Sequence, residues 1–431
     1  MTDPVDAPET GPDAAAKTGP YPPPAALPTQ MGPEGIRYDF NLGARVVLPN
    51  RTTGTWRVTL RDLDTGNILF MNENKGAFVS SSKHFYVRFG IEISESDADG
   101  TRELLRHALD LRDRDVLVLF PNGTLGDSLG WLPYAVRFGE TRGCRLICAI
   151  AEPLIALVAD AYPAIRFMSH AALVSEGLTE TIYATYRLGL FFDDKDCIEQ
   201  PTDFRLVGLH RTAGYILGVE AREAPVHLPP TPAERPIAAP YVCIATQSSS
   251  QAKCWNNPYG WAELVRFLKS EGYRVVCIDQ KPVHGAGIVW NHIPYGAEDQ
   301  TGDRPLLERV HWLRHAAFFV GLSSGLSWLA WAAGADVVLI SGFTHPTNEF
   351  QTPYRVHNWH ACNSCWNDPH ERFDHHDFLW CPRHAGTARQ FECTRLITAE
   401  QVIGTVKRVI EARRALKPAK RKARNGGRDR D

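Results

Sequence analysis

The amino-acid sequence predicts an α/β protein with two parallel-sheet domains, preceded by a β-rich segment and followed by a cysteine-rich segment. Two stretches in which β-prone runs alternate with helical patterns predict the sheets, because parallel strands are joined by crossover helices. A proline-rich stretch at residues 224–240 separates the two alternations and predicts a linker. With 431 residues, the chain is long enough for two or three domains that each bury a core.

The first part of the chain predicts a leader and a β-rich domain. Residues 1–35 combine acidic residues with many prolines and lack the basic start and apolar run of a signal peptide, which predicts a disordered leader. Residues 36–98 contain short β-prone runs, such as TWRVTLRDL, separated by Asn, Gly and Asp. This pattern is typical of a small antiparallel sheet or barrel.

The rest of the chain predicts two α/β domains and a C-terminal extension. The first domain, residues 99–230, begins with a predicted helix near Asp99, followed by strands at 115–120 and 145–151 and a helix from about Ser128 between them. The subsequent predicted segments are a second domain (240–345), a cysteine finger (346–397), a closing helix (398–416) and a disordered basic tail (417–431). Since such folds bind ligands at the carboxyl ends of their strands, we expect a cleft between the domains.

The charge and hydropathy of the chain exclude some functions. The 47 basic and 49 acidic residues nearly balance, which argues against a globally basic protein held to nucleic acid by charge. No uninterrupted apolar run approaches the ~18 residues of a membrane-spanning helix. Together with the missing signal peptide, this predicts a cytoplasmic protein whose cysteines are mostly reduced.

Four cysteines near the C-terminus form the strongest local motif. Cys362, Cys365, Cys381 and Cys393 follow a C-x2-C-x15-C-x11-C spacing, which is typical of a thiolate metal site. The segment between them is polar and poor in aliphatic residues, so a bound metal would supply its folding energy. We therefore predict one structural metal ion per chain, and four thiolates accept Zn or Fe alike. The alternatives are two disulfides or free thiols.

The first of three loops that follow predicted strands presents an acid. In PNGTLGDSLGW, residues 121–131, Gly123 and Gly126 allow a tight turn and place Asp127 at the start of a helix. Asp127 is either the N-cap of that helix or a general base at the mouth of the cleft.

The other two loops suit a phosphate-bearing ligand. Residues 246–261 offer hydroxyls, amides and Lys253, whose alternative interpretation is an ordinary surface lysine. Residues 321–335 contain a Ser-Ser-Gly turn into a helix, whose N-terminus favours a pyrophosphate although such a turn is often only a cap. The candidate ligand-binding residues are Thr246, Gln247, Ser248, Ser250, Lys253, Ser324, Gly325, Leu326 and Ser327. The sequence lacks the G-x-G-x-x-G and Walker motifs, which disfavours a dehydrogenase or a P-loop NTPase.

These motifs together resemble a known family. The loop TQSSSQAKCW and the turn SSGLSWL resemble the donor-binding loops of heptosyltransferases, and GTLGDSLGW, the β-rich start and the C-x2-C pair resemble the bacterial autotransporter heptosyltransferases. The resemblance covers most of residues 36–414. It implies a GT-B fold with two Rossmann-like domains, and a cytoplasmic enzyme that transfers heptose from ADP-heptose to serines of autotransporter adhesin passenger domains. It also implies inversion without a catalytic metal, iron rather than zinc in the finger, and a dodecameric homo-oligomer.

The resemblance assigns roles to the loops. Asp127 would accept the proton of the acceptor serine, while Lys253 and the helix N-terminus at Ser324 would stabilise the leaving pyrophosphate. The strand end Val276–Asp279 would face the adenine. In one departure, this chain has Ser323 where heptosyltransferases that build lipopolysaccharide usually have an acid.

Two other functions remain open at this stage. The first is a heptosyltransferase acting on the lipopolysaccharide core, which the finger and the β-rich start disfavour. The second is a non-enzymatic four-cysteine module that binds nucleic acid or a partner protein. The near-neutral charge, and a finger in which basic and aromatic residues do not alternate, disfavour this second function.

Overall fold

The computed structural model describes residues 20–97 and 100–425, with side chains as far as Ala415. The strands are β1 (Gln30–Met31), β2 (Arg37–Asn41), β3 (Arg45–Leu48), β4 (Thr55–Asp62), β5 (Ile68–Asn74), β6 (Ala77–Ser80), β7 (Phe89–Asp97), β8 (Gly100–Ala108), β9 (Asp115–Leu119), β10 (Arg145–Ala149), β11 (Arg166–Met168), β12 (Ala184–Arg187), β13 (Tyr241–Ile244), β14 (Arg274–Cys277), β15 (Val283–Ala286), β16 (Val289–His292), β17 (Glu298–Asp299), β18 (Phe319–Leu322), β19 (Val337–Ile340) and β20 (Arg355–Val356). The α-helices are α1 (Leu125–Arg142), α2 (Glu152–Val158), α3 (His170–Ser175), α4 (Phe204–Val207), α5 (Arg211–Leu217), α6 (Gly260–Ser270), α7 (Leu306–His315), α8 (Gly325–Ala332), α9 (Glu392–Arg395) and α10 (Ala399–Asn425). Among the residues so described, no helix is both long enough and apolar enough to cross a membrane.

The first α/β sheet has eight strands and incorporates part of the β-rich segment. Strands β9 to β12 are parallel, and β2 continues the sheet by pairing in parallel with β12. Strands β1, β3 and β6 extend it further by antiparallel pairing. The N-terminal strands therefore extend the first α/β sheet as well as forming a sheet of their own.

That second N-terminal sheet is antiparallel, in the order β5-β4-β7-β8. On β4 the side chains of Trp56, Val58 and Leu60 are buried, at the two-residue spacing of a strand with one face in the core. The helix predicted near Asp99 is wrong, because β8 is a strand paired with β7. The β-rich region consequently continues to Ala108.

The second α/β sheet has six parallel strands in the order β17-β14-β13-β18-β19-β20. Every residue of β13, β18 and β19 is buried, as expected for parallel strands covered by helices on both faces. Helix α10 covers one face with Val402, Val406 and Val409. The second predicted parallel sheet is thus confirmed, whereas the first sheet is parallel only in β9 to β12 and β2.

The linker between the sheets is extended but anchored. Residues 218–240, all within the described part of the chain, contain neither helix nor strand. Arg314 of α7 donates hydrogen bonds to the carbonyl oxygens of Pro229, at 2.6 Å, and Leu228, at 3.1 Å. The linker is therefore fixed to the second domain by these hydrogen bonds.

The two predicted disordered ends differ from the structure. Residues 20–35 pack on the first sheet, where Tyr21 Oη donates to the Leu188 carbonyl and Thr29 Oγ1 to the Ile182 carbonyl, both at 2.8 Å. At the other end, α10 continues to Asn425. The prediction of disorder is wrong for residues 20–35 and 417–425, and residues 1–19 and 426–431 lie outside the described residues.

Candidate active site between the two sheets

A cleft of about 560 Å³ lies where the carboxyl ends of both parallel sheets meet. Its volume is within the range of sites that enclose a small ligand. All three predicted loops line it, and so do residues after β14 and β17 and residues of the finger. The predicted residues that line it are Asp127, Gln247, Ser248, Lys253, Ser324, Gly325 and Leu326.

Two helix N-termini meet at the floor of the cleft. A Cβ atom on Gly126 of α1 would lie 2.9 Å from the Trp328 ring and 3.4 Å from the Cα of Gly325 on α8. A Cβ atom on Gly325 would lie 2.9 Å from the Cβ of Leu125. Only glycines allow this approach, which brings the positive ends of both helix dipoles to the cleft.

Asp127 lies in the first turn of α1 and is half-buried. Thr124, in an extended conformation, holds the N-cap position, so the interpretation of Asp127 as the N-cap is wrong. Burial raises the pKa of the Asp127 carboxyl, while a hydrogen bond with the Thr124 side chain and the charge of Lys253 act in the opposite direction. A raised pKa suits a carboxylate that accepts a proton near neutral pH.

Lys253 faces the same cleft from the second domain. It ends a short 3-10 turn, Gln251–Lys253, and its Nζ lies 4.8 Å from the centre of the Trp366 ring. Burial lowers the pKa of Lys253, and the charge of Asp127 partly restores it. The alternative of an ordinary surface lysine is wrong, because the side chain is half-buried and packs against an indole.

Two buried hydroxyls in the cleft have no hydrogen-bond partner among the described residues. They are the Oγ atoms of Ser248 and of Ser324, the N-cap residue of α8. Because buried polar groups in native proteins are nearly always paired, these two atoms indicate the place of a polar ligand.

Three other predicted ligand-binding residues have internal partners and do not line the cleft. Thr246 donates to Asp279 Oδ2 through its backbone nitrogen, at 2.8 Å, and through its hydroxyl, at 3.0 Å. Ser327 Oγ donates to the Leu322 carbonyl, and Ser250 Oγ to the Phe378 carbonyl. These residues hold the loops in shape, and of the predicted adenine wall only its end, Ile278 and Asp279, reaches the cleft.

The finger supplies a wall that the sequence motifs did not predict. Trp366, Phe373 and His375 line the cleft, and so do Lys281 and Arg304 from the loops after β14 and β17. No local motif marks these residues, because tertiary packing alone brings them to the cleft. The only sequence feature that could have pointed to these five residues is that each of them is aromatic or basic.

The four predicted metal ligands line one small cavity, but within the described residues only Cys362 among them belongs to a group of ligand atoms close enough to share an ion. All ten cysteines lie in the described part of the chain and none forms a disulfide, so the disulfide alternative is wrong. Cys362, Cys365, Cys381 and Cys393 line one small cavity together with His384 and Glu392. One ligand atom each of Cys362, His384 and Glu392 lies within 4.8 Å of the others.

The chemistry of this cavity fits a cation. Burial, and then the neighbouring Cys362, raise the pKa of Cys365. Burial, and then the neighbouring Cys381 and Cys362, raise the pKa of Cys393 to about 12. A bound cation would reverse both effects, since it stabilises thiolates. The segment also has a core, contrary to our expectation, because Trp366, Trp380 and Phe391 are buried in an aromatic cluster with Phe343.

Comparison with known proteins identifies the family. The N-terminal domain of glycosyltransferase TibC matches residues 32–97, and glycosyltransferase family 9 (heptosyltransferase) matches residues 209–375. An autotransporter heptosyltransferase of Citrobacter rodentium is 57% identical over 386 residues, which are 90% of this chain and 92% of the relative. This chain belongs to the autotransporter heptosyltransferase family.

Solved structures of this family have the same fold. The iron-containing dodecameric glycosyltransferase TibC of enterotoxigenic E. coli H10407 is 55% identical, with a TM-score of 0.85 over 90% of this chain and 99% of TibC. A second TibC structure, 54% identical with the same TM-score and coverage, is a complex with ADP-D-beta-D-heptose. The protein is therefore a glycosyltransferase with a mixed α/β fold and a β-rich N-terminal region, as the resemblance implied.

Another relative shows that membership of this family does not by itself establish catalytic activity. BimC of Burkholderia thailandensis, an inactive autotransporter heptosyltransferase, is 48% identical over 389 residues, which are 90% of this chain and 89% of BimC. The catalytic role of individual residues in this autotransporter heptosyltransferase thus has to be argued from its own site.

Proposed function

We propose that this protein transfers heptose from ADP-heptose to serine hydroxyls of an autotransporter passenger domain, in the cytoplasm and with inversion at the anomeric carbon. The observation that carries the proposal is that Asp127 and Lys253 face one cleft where the N-termini of α1 and α8 meet. A base and a cation on opposite sides of a ligand-sized cleft suit a displacement with an anionic leaving group. The ADP-heptose complex of TibC supports the choice of donor.

The reaction is a single displacement. The oxygen of the acceptor serine attacks the anomeric carbon, and its proton passes to the Asp127 carboxylate. The bond between the anomeric carbon and the β-phosphate oxygen breaks, and its electron pair leaves with ADP. The acceptor oxygen and the leaving oxygen lie on opposite faces of the sugar, so the configuration inverts.

Lys253 and the N-terminus of α8 stabilise the charge that develops on the pyrophosphate. Lys253 is partly desolvated, which strengthens its attraction for an anion. Ser324, Gly325 and Leu326 at the start of α8 line the same cleft, and the hydroxyl of Ser324 has no hydrogen-bond partner among the described residues. Each such group lowers the activation free energy by on the order of 2–4 kcal/mol.

We also propose that the four finger cysteines hold one iron ion and that the protein forms a dodecamer, as TibC does. Bound iron would neutralise the thiolates and fix the finger segment against the second domain. Its structural effect would be to hold Trp366, the neighbour of Cys365, against Lys253.

Co-expression with an autotransporter adhesin tests the proposal. Intact-mass and peptide mass spectrometry of the passenger domain should show heptose-sized increments on serines with the wild-type protein. The matched Asp127→Asn variant should give an unmodified passenger domain. A passenger domain left unmodified by the wild type in cells that make ADP-heptose would refute the proposal.

A further inference from the structure

A buried arginine lies at the end of the cleft that is formed by the loops after β14 and β17. Arg309 of α7 is 3% exposed, and it lines the cleft. Among the described residues, no carboxylate oxygen lies within 4 Å of its guanidinium. Burying a cation is costly unless other groups satisfy its N–H donors. In this protein backbone carbonyl oxygens take that place.

The carbonyl oxygens bound by Arg309 belong to two different loops. The guanidinium donates to the carbonyl oxygen of Asp279, at 3.1 Å, in the loop after β14. It also donates to the carbonyl oxygens of Gly302, at 2.9 Å, and of Gln300, both in the loop after β17. Because the N–H groups of a guanidinium are fixed in one plane, this side chain sets the position of one loop relative to the other.

Asp279 extends this connection to a third loop. Its carboxylate accepts hydrogen bonds from the backbone nitrogens of Thr246, at 2.8 Å, and Gln247, at 3.3 Å, which follow β13. Strands β17, β14 and β13 are neighbours in the second sheet. Arg309 therefore holds the ends of three adjacent strands, two directly and the third through Asp279.

The loops joined in this way form one end of the cleft. Gln247 and Ser248 line it from the loop after β13, Gln280 and Lys281 from the loop after β14, and residues 302–304 from the loop after β17. Helix α8, where we place the pyrophosphate, follows β18 on the other side of β13 from β14. Since the sugar has to reach the base in the first domain, these loops are left for the nucleoside.

We propose that Arg309 is a positioning residue, which forms the nucleoside end of the donor site in advance by holding the loops after β14 and β17 together. This inference rests on the proposed function, because it takes the donor to be ADP-heptose. Without the hydrogen bonds of Arg309, the loops would become ordered only when the donor binds, at the expense of affinity. The loops after β14 and β17 carry no group that we assign to the transfer step, so kcat should not depend on Arg309.

Two substitutions of Arg309 test the positioning role. Arg309→Lys keeps the charge, but one ammonium group cannot replace a planar fork that reaches both loops. We expect the affinity for ADP to fall about tenfold, the effect of losing one hydrogen bond to a charged group. The KM for ADP-heptose should rise by a similar factor, while kcat at saturating ADP-heptose stays that of the wild type. Arg309→Gln, which also loses the charge, should weaken ADP binding at least as much.

Arg314→Lys is the matched control. Arg314 lies on the same helix and also donates to two backbone carbonyl oxygens, but these belong to the linker. Both lysine variants should lower Tm, and only Arg309→Lys should weaken ADP binding. Hydrogen exchange provides a direct measure of the loops, because the amides of Gln300 and Gly302 donate to carbonyl oxygens at the end of β14. These two amides should exchange faster in Arg309→Lys and at the wild-type rate in Arg314→Lys.

Calorimetry with ADP, transfer kinetics and hydrogen exchange together decide the outcome. Equal ADP affinity in Arg309→Lys and the wild type would overturn the inference, and so would a lower kcat with an unchanged KM. Weaker ADP binding without faster exchange would mean that Arg309 contacts the nucleotide directly, which also overturns it. Because ADP binding needs no transfer, retained activity in Asp127→Asn would refute the proposed base and leave this test intact. A wild type that binds neither ADP nor ADP-heptose would refute both proposals.

Discussion

Gly126 of α1 and Gly325 of α8 touch across the two sheets, so closely that a Cβ atom on Gly126 would lie 3.4 Å from the Cα of Gly325 and 2.9 Å from the Trp328 ring. Gly130, one turn further along α1, would place a Cβ atom 3.4 Å from the same ring. The buried indole of Trp328 thus fits against a glycine surface on α1, and this contact sets the distance between Asp127 and the N-terminus of α8.

A methyl group at this contact should separate the helices. Gly126→Ala should cost about 1–3 kcal/mol of stability, as overpacking does. It should also lower kcat more than it lowers ADP affinity, because it moves Asp127 relative to the donor side. Thermal unfolding and transfer assays check this, with Gly404→Ala as control, since no atom lies within 4 Å of a Cβ atom there. Wild-type stability and activity in Gly126→Ala would contradict the close contact.

Removal of the carboxylate should slow transfer strongly without weakening ADP binding. Asp127→Asn should lower kcat by ~10²–10⁴-fold, the usual share of a general base, with ADP affinity unchanged. The exposed Asp160, converted to Asn, serves as control. Transfer within a few-fold of the wild type would show that Asp127 is not the base.

The pH profile of kcat/KM should be bell-shaped. The base must be ionised, and burial raises the pKa of Asp127, so the acid limb should lie at higher pH than an ordinary Asp. Lys253 must be protonated, and burial lowers its pKa, so the alkaline limb should lie at lower pH than an ordinary Lys. An acid limb at an ordinary Asp pKa would contradict this account.

The same pKa shift affects stability. By linkage, the raised pKa of Asp127 favours the folded state at low pH, and this contribution is lost as pH rises through that pKa. Asp127→Asn should therefore not lower Tm at pH 7.

Removal of the cleft lysine should weaken donor binding. Lys253→Ala should reduce the affinity for ADP and slow transfer without unfolding the protein, because the side chain has no ion-pair partner within 4 Å among the described residues. Calorimetry with ADP measures this, and Lys269→Ala on the exposed face of α6 is the matched control. Equal ADP affinity in Lys253→Ala and the wild type would exclude the pyrophosphate contact.

Loss of a finger thiolate should affect the metal first and the cleft second. Cys381→Ser should lose the bound metal and loosen the segment that carries Trp366, while Cys144→Ser, outside the finger, should retain it. Elemental analysis of protein purified without chelators measures the occupancy. A wild type with under ~0.2 metal per chain would contradict a structural site, because such sites are nearly full.

The elements that could be predicted from the sequence are those whose structure is determined by one local pattern. Strands such as β13 and β19 are fully buried and read as continuous apolar runs, and Asp127 follows a strand and a glycine turn. The prediction was wrong for β8, because its sequence GTRELLRHA contains good helix formers. Its side chains are largely exposed, so that pairing with β7 decides its conformation. Trp366 could not be placed from sequence, since its position depends on contacts with residues distant in the chain, such as Phe192 and Lys253.

One wall of the cleft lies on a segment that packs through aromatic side chains and belongs to neither sheet. The residues of that segment between its cysteines contact both α/β domains. The Asn367 side chain donates to the Arg205 carbonyl at 3.1 Å, and the Phe378 carbonyl accepts from the backbone nitrogen of Gln251 at 2.9 Å. A change in the finger would therefore be felt by the first domain and by the loop of Lys253 together, so the finger couples the two halves of the cleft.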